Sequence, residues 1–156
     1  MKIYIGADHA GFDLKADLIK HLSEQTVNGI APFEIEDVGS ATMVADDDFP
    51  DIAEKVVKKV RRGKTNFGIL ICANGIGVCI AANKFKGIRA GIGYNTLAAR
   101  TMRSDDNTNI LCLAGKVLSH EYARAITRIW LETPFTEEGR FKRRLAKIEA
   151  IEASGE

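Results

Sequence analysis

Three stretches of the chain combine residue types that can do chemistry on an anionic ligand. In Cys72-Ala73-Asn74-Gly75-Ile76-Gly77 a thiol precedes two glycines where an apolar run gives way to helical period. Glycines there let backbone N–H groups at a helix N-terminus approach a ligand, which makes the stretch a cradle for an oxyanion or a phosphate. A thiol beside the same positive helix end is favoured as thiolate, the form a general base or nucleophile needs near neutral pH. Ala7-Asp8-His9-Ala10-Gly11 also closes an apolar run. Arg140 and Arg144, four residues apart on one helix face, are suited to forked recognition of phosphate. Each stretch has a plainer alternative: Cys72 as a buried structural cysteine, the arginines as a solvated basic face. Cys79 and Cys112 read as core residues.

Familiar motifs fail on the letters. A dinucleotide fingerprint needs Gly or Ala three residues after Gly77, where Ile80 stands. A P-loop starting at Gly6 needs Lys after Gly11, where Phe12 and Asp13 follow. A cysteine phosphatase loop needs Arg six residues after Cys72, where Val78 stands. A phospho-receiver module suits Asp8 and Lys116 but wants an Asp at Cys72. Asp46-Asp47-Asp48 has no His or Cys in its company and reads as a solvated loop without a metal.

These residues must be positioned by alternating strands and helices. Short apolar runs rich in Ile and Val predict strands near Lys2 to Ala7, Glu34 to Val38, Phe67 to Cys72, Ile88 to Ile92 and Asn109 to Ala114. Helical period predicts helices near Gly11 to Glu24, Pro50 to Arg62, Gly75 to Lys84, Thr96 to Arg103 and His120 to Leu131. A sixth, from Thr136 to about Ile151, carries Phe141, Leu145, Ile148 and Ile151 as one apolar stripe. The pattern predicts an α/β fold, a three-layer Rossmann-like or flavodoxin-like arrangement around a five-stranded parallel sheet. With strand order near 2-1-3-4-5, the loops after strands one and three meet at the switch point where ligands bind.

The chain has 156 residues, 46% hydrophobic and 28% charged, with a formal charge of +1. That is one domain's worth of chain, and no linker or repeat divides residues 1–156. The charge balance argues against nucleic acid as a partner. The absence of a long apolar run argues against membrane insertion. Three cysteines without a C-x-x-C pair suggest a reduced, cytoplasmic protein.

Taken together, several separate motifs resemble one family, the type B ribose-5-phosphate isomerases with the related galactose-6-phosphate isomerases. They are G-A-D-H-A-G at Gly6 to Gly11, D-F-P at Asp48 to Pro50, C-A-N-G-I-G at Cys72 to Gly77 and A-A-N-K at Ala81 to Lys84. G-I-R-A at Gly87 to Ala90, N-T-N-I-L at Asn107 to Leu111 and G-R-x-x-x-R at Gly139 to Arg144 extend the match over nearly the whole chain. The resemblance implies aldose–ketose isomerisation of a phosphorylated sugar through an enediolate, without metal or other cofactor. Cys72 would move the proton between C1 and C2, and Asn74 with the amides of Gly75, Ile76 and Gly77 would hold the oxyanion. Asp8 would bind sugar hydroxyls; His9, Arg140 and Arg144 would bind phosphate, with Lys116 where an Arg is common. The family builds each site between two subunits, implying a homodimer or a dimer of dimers with the last helix, about 136–152, at the interface.

The chain departs from that pattern in three places. Ala73 and Asn74 replace Gly and a hydroxyl residue, and Asp105-Asp106 stands where many members carry a ring-opening His-Asn pair. The resemblance then puts Asp105 at ring opening and Asp106 beside it against substrate. Val78 replaces a Glu that some members use as base, which puts more weight on Cys72. The segment from Gln25 to Phe33 is also longer than usual. Ribose 5-phosphate is the leading substrate; a hexose 6-phosphate such as allose or galactose 6-phosphate, and a non-catalytic sugar-phosphate binder, remain alternatives.

Overall fold

Successive side chains of a strand point to opposite faces of the sheet, and because the central strands are apolar on both faces they build two cores. The computed structural model describes residues 1–24 and 33–155, so most of the Gln25 to Phe33 segment lies outside the described residues. Strands β1 (Lys2–Ala7), β2 (Glu34–Asp37), β3 (Asn66–Cys72), β4 (Ala90–Ile92) and β5 (Ile110–Ala114) form one parallel sheet. Between them run α1 (Phe12–Glu24), α2 (Phe49–Val60), α3 (Ile76–Ala82) and α4 (Thr96–Ser104), followed by α5 (His120–Glu132) and α6 (Gly139–Ser154). Ile3, Ile5, Ile69, Ile71, Leu111 and Leu113 point to one face, under α1, α4 and α5. Tyr4, Leu70, Cys72, Ile110 and Cys112 point to the other, under α2 and α3.

The sheet order is β2-β1-β3-β5-β4, so the last two strands exchange places relative to the expected order. Burial explains the exchange. Every residue of β5 is buried, as a strand flanked on both edges and covered on both faces requires, whereas β4 has three residues, none fully buried, and suits an edge. The β1–β3 neighbourhood is unaffected: Ile5 is registered with Ile69 and Ala7 with Ile71, and the Asp8 amide continues the ladder to the Ile71 carbonyl at 3.2 Å.

Trp130 anchors the first core. It is fully buried, meets the Phe67 ring edge-on at 5.4 Å, and donates Nε1–H to Thr108 Oγ1 at 2.9 Å. The final helix begins at Gly139, later than Thr136, because the Thr136 amide donates instead to the Ser104 carbonyl at the end of α4. Of its apolar stripe, Phe141 and Leu145 are buried while Ile148 and Ile151 remain exposed. Among the described residues, no helix is long and apolar enough to cross a membrane.

Candidate active site

Parallel strands deliver the loops after β1, β3 and β5 to one edge of the sheet, at its carboxyl end. Cys72 is the last residue of β3, 4% exposed and unpaired to any other cysteine. Its Sγ accepts the Gly75 amide at 3.2 Å, and its S–H faces Asn74 Oδ1 at 3.8 Å. Asn74 Oδ1 also accepts the Ile76 amide at 3.0 Å, closing an Asx turn that leads into α3. Of the donors expected around an oxyanion, the Gly75 and Ile76 amides are therefore engaged within the loop. The Gly77 amide and the Asn74 side-chain N–H₂ have no protein acceptor among the described residues.

Two glycines allow this closeness. Gly75 has φ 76°, and a Cβ there would approach the Leu113 carbonyl carbon to 3.1 Å. A Cβ on Gly115 would lie 2.8 Å from the Ala10 carbonyl oxygen, so the loops after β1 and β5 touch backbone to backbone. The Gly115 amide donates to the Cys72 carbonyl at 2.8 Å and the Lys116 amide to the Ala73 carbonyl at 3.0 Å, which seats exposed Lys116 beside the thiol loop.

Asp8 is 7% exposed and accepts the amides of Ala10 at 3.0 Å and Gly11 at 3.2 Å. Burial lifts its carboxyl above the ordinary value, against the pull of those two amides. A carboxyl raised by folding stabilises below its unfolded pKa and loses that contribution as pH rises through the folded pKa. Asp8→Asn is therefore expected to match or exceed the parent's melting temperature at neutral pH, with any gain vanishing at about pH 3. A lower melting temperature at neutral pH alone would show that the charge itself stabilises the loop.

His9 points outward from the same loop, and its partner was not legible in the sequence. The Asp47 carboxylate accepts both the His9 backbone amide and the Nδ1 position, each at 2.9 Å. The Asp46-Asp47-Asp48 run is thus not merely a solvated loop, since the Asp47 side chain is only 12% exposed. Burial would raise the Asp47 carboxyl, but the two His9 hydrogen bonds outweigh it and hold it below the usual carboxylate range. An orienting carboxylate on Nδ1 leaves Nε2 available to a ligand.

The remaining sequence-predicted residues lie elsewhere. Asp105 and Asp106 follow α4, and a helix that returns across a parallel sheet ends at the amino edge of the strands. Arg144 is close enough to act on the Asp106 carboxyl, and Arg140 sits one helical turn before it, so all four share that edge. Cys72 is registered with Ala114 and Gly68 with Ile110, which places the two groups about 13 Å of strand apart. One chain brings Asp8, His9, Cys72, Asn74, Gly77 and Lys116 together; it does not bring Asp105, Asp106, Arg140 or Arg144 to them. Asp106 is exposed as a whole residue, yet partial burial and then the Asp105 charge hold its carboxyl above the ordinary value, with Arg144 opposing.

A family model described as Ribose/Galactose Isomerase matches residues 3–148. Ribose-5-phosphate isomerase B of Escherichia coli is 38% identical over 151 residues, covering 97% of this chain and 96% of that one. A D-erythrulose-4-phosphate isomerase of Mycolicibacterium smegmatis is 37% identical over 135 residues, 86% of each. The crystal structure of ribose-5-phosphate isomerase B from Mycoplasma genitalium with bound ribulose-5-phosphate superposes with a TM-score of 0.89 at 36% identity, covering 97% of this chain and 96% of that one. With a family model spanning nearly its whole length and relatives this close over the same span, the chain belongs to the ribose/galactose isomerase family.

Proposed function

We propose that this protein interconverts ribose 5-phosphate and ribulose 5-phosphate through an enediolate, with Cys72 as the base and without a metal. The observation that carries this reading is the position of the Cys72 sulfur, beside two N–H donors without a protein acceptor among the described residues and at the end of a strand that bonds through its backbone to the Asp8 loop. The thiolate removes the proton from C2 of the aldose and the resulting thiol returns it to C1, while the O2 hydroxyl proton passes to O1 across the enediolate, so no proton is gained or lost overall. The Gly77 amide and Asn74 Nδ2 donate to the oxygen on which charge develops, each such donor contributing about 3 to 4 kcal/mol. Asp8 receives the sugar hydroxyls. His9, oriented by Asp47, binds the phosphate at this edge together with Lys116.

The same reading assigns Arg140 and Arg144 to phosphate, and Asp105 and Asp106 to the sugar ring, of a neighbouring subunit's site. What supports it is their separation from Cys72 within one chain and the exposed half of the α6 stripe, which gives a homodimer a surface to bury. At ring opening, the Asp106 carboxyl, pushed upward by partial burial and then by the Asp105 charge, is suited to act as an acid. The free cysteines are consistent with a reduced, cytoplasmic setting.

Subunit mixing tests the shared site. Cys72→Ala and Arg140→Ala proteins, each poorly active alone at low substrate, should regain about a quarter of parental activity when mixed and re-equilibrated, because half of the dimers then carry one intact site. Arg140→Ala alone should raise KM for ribose 5-phosphate with little change in kcat. No recovery on mixing, with exchange verified, would place both residues in one subunit's site. The departures at Asn74 and Asp105 favour a second reading, a different phosphosugar, so allose 6-phosphate, galactose 6-phosphate and D-erythrulose 4-phosphate belong in the same assay. Turnover of one of these in place of the pentose would assign the departures to specificity.

A further inference from the structure

At the amino end of the sheet, away from Cys72, lies a cavity of about 490 Å³ that the proposed reaction does not use. Arg61, Lys64, Lys86, Arg89 and Arg103 line it, against one carboxylate, Glu149. None of the five cations forms an ion pair with a carboxylate among the described residues. Arg103 is only 8% exposed, and its guanidinium lies 4.8 Å from the centre of the Phe67 ring. Its Nη1 donates to two neutral oxygens, Asn107 Oδ1 at 2.9 Å and the Thr108 carbonyl at 2.7 Å, while its Nε and Nη2 have no protein acceptor among the described residues. Arg89 donates from Nε to the Asn107 carbonyl at 2.9 Å, which brings a second guanidinium to the same turn. Burial, and then the like charge of Arg89, pull the Arg103 guanidinium down to about 10.

A guanidinium on a nine-tenths-buried residue beside another, with no ion-paired carboxylate among the described residues, is a costly arrangement that a bound anion relieves. Forked N–H donors suit the oxygens of a phosphate group, and the volume falls within the range of small-ligand sites. We propose that this cavity is a second anion site, binding a phosphate dianion, free or as a phosphomonoester. Arg89 and Arg103 grip its oxygens, and exposed Lys64 and Lys86 attract it at the mouth. Asn107, held by both arginines, immediately follows Asp105-Asp106, so occupancy steadies the segment that carries them. The site does not depend on the isomerase reading.

The test uses the full chain carrying His9→Ala and Arg140→Ala, which removes phosphate contacts assigned to the reaction. Melting temperature is followed against inorganic phosphate, glycerol 3-phosphate and, at matched ionic strength, chloride. A saturable rise with either phosphate species beyond that of chloride is expected. Adding Lys64→Gln with Lys86→Gln should weaken the half-saturating concentration about fivefold or more, and adding Arg89→Gln should remove the response. A response to phosphate equal to that for the ester assigns free phosphate as ligand; a response confined to the ester assigns a phosphorylated metabolite. Melting that follows chloride alone, or saturation unchanged by the two lysine substitutions, would overturn the site; the lysine pair keeps the test decisive if Arg89→Gln fails to fold.

Discussion

Cys72→Ala is expected to lower kcat by roughly two to four orders of magnitude, the usual contribution of a positioned general base, while ribose 5-phosphate still raises the melting temperature of the variant. The two readouts separate because the thiol serves only the proton transfer, whereas Asp8, His9 and the loop amides bind the sugar phosphate. The substitution is structurally mild: the side chain is small, its neighbours on the α2 and α3 face are aliphatic, and the Gly75 amide loses only a sulfur acceptor. Cys72→Ser keeps a hydroxyl in the same place but lacks an accessible anion at neutral pH, so it should resemble the alanine variant. Turnover within a few fold of the parent in both variants would remove Cys72 from the mechanism. Loss of ligand stabilisation along with turnover would instead make it a structural residue of the loop.

The largest effect on stability should come from Trp130→Ala, which is expected to cost about 3 to 5 kcal/mol. Trp130 is fully buried, and truncation leaves a cavity against Phe67 while orphaning the Thr108 hydroxyl that accepts its indole N–H. It also removes an aromatic face 5.9 Å from the Arg103 guanidinium. Urea unfolding monitored by far-ultraviolet circular dichroism measures the loss. A cost below about 1.5 kcal/mol, the scale of a tolerated core swap, would mean that this core collapses around the gap.

Much of this molecule is written locally. The apolar runs in β1 and β3 and the helical periods of α2 and α5 depend on neighbours in the chain, and their positions in the structure match the sequence to within two residues. The carboxyl-end loops were legible for the same reason, since an apolar run followed by Asp8-His9 or Cys72 to Gly77 states its own place at a strand end. The β5–β4 exchange was only half hidden. An all-apolar Ile-Leu-Cys-Leu-Ala run signals a central strand, but three residues of β4 carry too little pattern to declare an edge.

What escaped were contacts set by docking of distant segments. Asp47 is 38 residues from His9, and only the path of the loop before α2 brings the carboxylate to the imidazole. The placement of Asp105 and Asp106 was available and easily overlooked: a residue that follows a helix in this topology stands at the opposite sheet edge from one that follows a strand. The pairing of Arg89 with Arg103 through Asn107 joins the segment before β4, the last turn of α4 and the turn before β5, and has no signature in spacing.

Metal-free isomerisation of a pentose phosphate can be followed from ribose 5-phosphate to ribulose 5-phosphate with purified protein in excess chelator. Turnover should be unchanged by the chelator and lowered by roughly two to four orders of magnitude in Cys72→Ala. Turnover that the chelator abolishes and a divalent metal restores, or no turnover of the pentose in either condition, would contradict it.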